Sequence, residues 1–115
     1  MDEPLNIIVG EQLSSVEFVQ DYVQLRFDGP CLTVNAPMVV SVQGTRYKKG
    51  SPGFCESLCQ RIALLVRRAV TIENEKIVIE FQDNSEIEIS LKPEEQVSLE
   101  AAELTDRAKQ IWVVW

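Results

Sequence analysis

Ser51–Val70 reads SPGFCESLCQRIALLVRRAV, and its periodicity decides the fold class. Phe54, Cys55, Leu58, Cys59, Ile62, Leu65, Val66 and Ala69 recur at steps of three and four. That is the spacing of an amphipathic helix with one apolar stripe. Ser51 suits the N-cap and Pro52 the first helical position. Glu56 stands near the positive end of the helix dipole, and Arg67 and Arg68 near the negative end. The stretch predicts one long helix. Cys55 and Cys59 share its face, where small apolar residues are normally buried. Two thiols at this spacing would also supply half of a zinc site. The chain has no histidine and only one other cysteine, Cys31, so both thiols are expected to be buried.

The residues before this stretch read as strands. In YVQLRFD, Val23, Leu25 and Phe27 alternate with Tyr22, Gln24 and Arg26, the period of a half-buried strand. SVEFVQ places Val16 and Phe18 on one face. After the break at Gly29 and Pro30, CLTVN places Leu32 and Val34 together. Pairing Phe27 with Leu32 and Leu25 with Val34 keeps the apolar side chains on one side. MVVSVQG is a fourth strand after Asn35, Ala36 and Pro37, and the four form an antiparallel meander. GTRYKKGSP reads as a basic loop.

A hairpin follows the predicted helix. KIVIEF and EIEISL each alternate, with Ile77, Ile79 and Phe81 on one face and Ile87, Ile89 and Leu91 on the other strand's matching face. Keeping these faces together requires an odd loop. Asp83, Asn84 and Ser85 suit a type I turn closed by a left-handed residue. That register sets Glu80 opposite Glu88, and like charges directly opposite destabilise a sheet. Both are expected to reach into water. Leu99, Ala102 and Glu103 hint at a short helix. QIWVVW then returns as a strand. Ile111, Val113 and Trp115 face one way, Trp112 and Val114 the other, so the strand is expected to be covered on both faces, by core or by a subunit interface.

Charge is unevenly spread along the 115 residues, whose net charge is −7. Residues 46–70 carry a net +5 and residues 71–106 a net −9. The band consists of Arg46, Lys48, Lys49, Arg61, Arg67 and Arg68. Arg61 and Arg68, seven apart, would share a helical face. The acidic remainder opposes nucleic acid and anionic membrane surfaces and favours basic partners. No apolar run approaches the ~20 residues of a membrane-spanning helix. The opening MDEPLNIIVG lacks the basic n-region of a secretory signal, and three cysteines suit reduced thiols, so a cytoplasmic protein is expected.

Several chemistries are excluded. Without histidine there is no Ser-His-Asp or Cys-His machinery. GSPGF is not followed by Gly-Lys-Ser/Thr, and IIVGEQ is a lone glycine, so neither is a nucleotide loop. No cofactor is implied. Glu80, Glu86 and Glu88 are the carboxylates that could hold a cation or work as an acid/base pair. An exposed strand face would leave them with ordinary pKa values.

VEFVQDYVQLRFDGPCLTV, SPGFCESLCQRI, the apolar-acidic hairpin and the final tryptophan together resemble an uncharacterised family of small bacterial α+β proteins, some of them immunity-like. The resemblance runs from about Leu5 to Trp115. The expectation is therefore a single α+β domain over residues 1–115. It has an antiparallel sheet of about six or seven strands, a meander plus a hairpin, with one long helix packed on one face. The expected function is a protein-binding module, immunity- or antitoxin-like, that meets a basic protein partner through its acidic strand faces. The alternative is a homodimer with a small-ligand pocket between sheet and helix, and a carboxylate-based enzyme is the minor reading. The candidate interaction surface is Glu80, Glu86, Glu88, Trp112 and Trp115; the candidate basic band is Arg46, Lys48, Lys49, Arg61 and Arg68, which reads first as helix-dipole complementation plus ordinary loop charge.

Overall fold

The computed structural model describes residues 3–115. Ser51–Val70 is not one helix there. Helix α1 covers only Phe54–Cys59 and starts from Gly53, not from Ser51. Gly53 sits at φ +88°, and a Cβ on it would stand 2.9 Å from the Tyr47 ring, so glycine is required at this corner. Glu56 does lie in the first turn. The chain then turns through Ala63, at φ +78°, and enters a strand, β6 (Val66–Ile72). Cys55 and Cys59 are exposed, and Ile62 and Leu65 keep 38% exposure each. The expected continuous apolar stripe does not exist.

The helical spacing has another origin. β6 pairs with β7 (Lys76–Phe81) and carries a bulge between Val66 and Arg68. Val66 lies opposite Phe81 and Ala69 opposite Ile79, and both are buried. A bulge adds one residue on one strand, so two inward residues stand three apart, as on a helix. The strand conformation wins because Ile77, Val78, Ile79 and Phe81 bury β7, and its backbone groups on that edge need partners.

The α+β expectation is therefore corrected. Over the described residues the protein is mostly antiparallel β, with ten strands in two sheets. The first sheet has the order β1 (Leu13–Phe18), β2 (Val23–Phe27), β3 (Cys31–Val34), β9 (Ala102–Asp106), β10 (Ile111–Val114). The second has the order β5 (Thr45–Lys48), β4 (Met38–Val42), β8 (Glu86–Ser90), β7, β6. All seven strands read from the sequence are present. The other three are β5, in the expected basic loop, β6, in the expected helix, and β9, where a short helix was hinted at. The meander stops at β3, because β4 pairs with β5 and β8 in the other sheet.

Two registers differ from expectation by two residues. Leu25 pairs with Leu32 and Val23 with Val34. Glu80 lies opposite Glu86, and Glu88 opposite Val78. A shift of two preserves which face each side chain takes, so the burial pattern survives it. The hairpin turn moves to Gln82–Asn84, with Asn84 at φ +72° as the left-handed residue and Phe81 N–H donating to the Ser85 carbonyl at 2.9 Å.

The inward faces share one core, in which Phe27, Phe54, Phe81, Ile77, Ile79, Leu25 and Leu32 are almost fully buried. The sheets are stitched where β1 meets the start of β6. Val66 N–H donates to Glu11 O at 2.9 Å and Leu13 N–H to Leu64 O at 3.1 Å. Among the described residues no helix is long and apolar enough to cross a membrane.

Candidate functional site

The alternation of β4, β5, β7 and β8 turns one residue in two away from the core. Cross-strand pairing orders these into rows on the outer face of the second sheet. One row runs Arg46, Ser41, Glu86, Glu80, Arg68, and the next Lys48, Val39, Glu88, Val78, Val70. Two carboxylates in these rows are clamped by cations. Glu88, with its side chain only 12% exposed, accepts from Arg46 Nη1 at 2.6 Å and Lys76 Nζ at 2.9 Å, one on each oxygen. Glu80 accepts from Arg67 at 2.9 Å and Arg68 at 2.5 Å. The bulge in β6 turns both arginines outward together, which relieves the Glu80–Glu86 opposition.

The clamps set the protonation states. Hydrogen bonds from Arg67 and Arg68 hold the Glu80 carboxyl below its ordinary range. Burial pushes Glu88 up, but hydrogen bonds from Lys76 and Arg46 and their charges outweigh it and leave the carboxyl low. The expected extension into water with ordinary pKa values is thus corrected for Glu80 and Glu88. Both carboxyls are thus held in the charged form by their cationic partners. Glu86 is half-buried and makes no ion pair among the described residues.

Arg46, Lys48 and Lys49 line a groove of about 490 Å³ on this face, together with Lys76, Lys92, Val39, Ser90 and Glu88. Two candidate groups that the sequence kept apart, the acidic strand and the basic band, meet here at Glu88. The groove lies outside the sheet, and not between sheet and helix. Lys76 and Lys92 escaped the sequence reading. The expected register, with Glu80 opposite Glu88, sets Lys76 opposite Lys92 and away from Glu88; the observed one sets Lys76 opposite Ser90, diagonal to Glu88.

The remaining band residues separate. Arg68 stands on β6, so it shares no helical face with Arg61. Arg61 is buried, at 5% exposure. Its Nε donates to the Ser57 carbonyl at 3.1 Å and its Nη1 to Asp83 at 3.0 Å. Asp83 in turn accepts from the Ser85 N–H and hydroxyl. Burial raises the Asp83 carboxyl, and these Ser85 bonds with Arg61 bring it below its ordinary range. Arg61 pins α1 to the β7–β8 turn and is structural.

The two tryptophans also separate. Trp115 is half-buried and packs on the core beside Val113. Trp112 is 72% exposed and Val114 45% exposed. Burial on both faces is therefore corrected to burial on one. β10 is the last strand of its sheet, and Trp112 lies at the end of a row running Ser15, Arg26, Cys31, Thr105, Trp112. Trp112 Nε1 donates to Glu103 at 2.8 Å, which fixes the indole on the outer face. Cys31, mid-row, has its thiol pKa raised, chiefly by burial. Among the described residues no three His, Cys, Asp or Glu side chains gather as metal ligands.

Comparison with known proteins yields no matching family model, no matching curated protein and no matching solved structure.

Proposed function

We propose that the protein is a binding module whose partner docks along β10, and that this partner is a second copy of the chain. The observation that carries the reading is the edge at Trp112. Ile111–Val114 is an uncharged, unbulged edge strand with an exposed indole and an exposed valine on its outer face. Soluble proteins normally guard such edges with charge, proline or a bulge. The other three edges here are guarded: β1 by a bulge and Glu17, β5 by Arg46 and Lys48, and β6 by a bulge with Arg67 and Arg68. Antiparallel pairing of β10 with β10 about a two-fold axis is self-complementary, and brings Trp112 into the kind of position where tryptophan contributes most to binding.

The acidic-face form of the module has less support. An immunity-like docking of a basic protein on Glu80 and Glu88 would have to break four ion pairs. A foreign protein on the β10 edge is the alternative occupant.

Light scattering decides between them, with Trp112→Ala and Val114→Lys as variants that touch only exposed side chains. The wild type is expected at twice the 13.0 kDa chain mass, and both variants at one chain mass with unchanged circular dichroism. A wild type that stays at one chain mass at every concentration overturns the self-pairing reading.

A further inference from the structure

We propose that the groove on the outer face of the second sheet binds a small anion carrying two or more phosphate groups. This groove and β10 lie on different sheets. The groove concentrates positive charge on a chain of net −7: five of its cations line it against three carboxylates. The lining keeps an excess of two positive charges. Glu88 spends both oxygens on Arg46 and Lys76, and Glu75 and Glu95, the latter accepting from the Ser90 hydroxyl, stand against the three other lysines. Lys48, Lys49 and Lys92 make no ion pair among the described residues.

These three lysines rise from separate parts of the rim. Lys48 ends β5, Lys49 follows it and Lys92 stands just beyond β8. Each offers three donors on a flexible stem and no acceptor, which suits phosphate oxygens as point-charge contacts. Glu88 holds the inner pair, Arg46 and Lys76, against the sheet, so part of the site is ordered before a ligand arrives. A volume of about 490 Å³ exceeds the needs of a single phosphate and falls in the range of small-molecule sites. The acidic remainder of the surface disfavours a long nucleic acid and leaves a compact ligand as the better match.

The test is a titration of the full chain with sodium pyrophosphate at fixed ionic strength, followed by backbone ¹⁵N–¹H resonances. Sodium chloride serves as the blank, Lys49→Gln/Lys92→Gln as the groove variant and Lys109→Gln as the control. Saturable shifts centred on residues 46–49, 76, 88 and 92, with a Kd raised about tenfold or more by the groove variant and unchanged by the control, are the expected result. Shifts that do not saturate, that chloride reproduces, or that the groove variant leaves intact overturn the proposal. So does a poly-glutamate peptide that competes more strongly than pyrophosphate, since the groove would then be built for an acidic chain.

Discussion

Arg61 shows how a single side chain's role depends on its surroundings. In the sequence it is one of six cations in a band. In the fold it is the buried one, bound to a helix carbonyl and to Asp83. Replacing it with methionine keeps the volume but leaves the Ser57 carbonyl and Asp83 without their partner. The expected cost is about 2 kcal/mol, reduced from the figure for a fully buried pair because Asp83 is 41% exposed. Urea unfolding measures it, and a cost near zero would remove the pin. Ser41 is the opposite case. Its hydroxyl is buried without a hydrogen-bond partner among the described residues, in the row between Arg46 and Glu86. Ser41→Ala removes an unsatisfied group, so the unfolding free energy measured in urea is expected to rise, by about 1 kcal/mol or less.

At the scale of the element, the stretch from Ser51 to Val70 gives a test in which the sign decides. Ala63 adopts φ +78°, a conformation that costs a Cβ-bearing residue about 1 kcal/mol or more. Ala63→Gly is therefore expected to stabilise the protein, by a few tenths to about 1 kcal/mol once the added freedom of the unfolded chain is deducted. In the interior of a helix the same change would cost about 1 kcal/mol. Thermal unfolding of this one variant separates the strand-entry turn from the helix that periodicity suggests. That misreading has a physical cause: spacing of three and four arises from a bulged strand joined to a short helix as well as from a long helix. β5 was hidden for a related reason. Gln43 at φ +50° and Gly44 at φ +84° form the tight turn before it, and Gln-Gly is a weaker turn signal than Asn-Gly.

Across the whole molecule, the clamped carboxylates give stability a defined pH dependence. Glu80, Asp83 and Glu88 all titrate lower in the fold than their ordinary values of 4.5, 3.8 and 4.5. A depressed folded pKa contributes stability that is present above the unfolded value and lost as pH falls through the folded one. The unfolding free energy is therefore expected to decline as pH falls below about 4.5. Glu88→Gln is expected to flatten part of that decline and to cost about 1 kcal/mol at pH 7, since Arg46 and Lys76 are half exposed and screened. Denaturant titrations at pH 7 and pH 3 on both proteins check this, and equal slopes in the two would show that Glu88 does not contribute.

What the sequence determined by itself was local. Alternation placed Val23, Leu25, Ile77, Ile79, Ile87 and Ile89 inward, and found seven strands, because side-chain direction in a strand depends only on its period of two. The missing histidine ruled out whole classes of catalysis, because that chemistry depends on residue type. Charge counting found a basic band and an acidic segment, but not that they meet at Glu88. Long-range pairing set which strands share a sheet, that β4 leaves the meander, and that Ile111–Val114 is an edge strand with Trp112 outward. It also turned Ser51–Val70 into a short helix and a strand. Those outcomes follow from pairing: the backbone groups of β7 needed a neighbour and those of β10 have one on a single side, and such long-range needs leave no local mark in the residues that meet them.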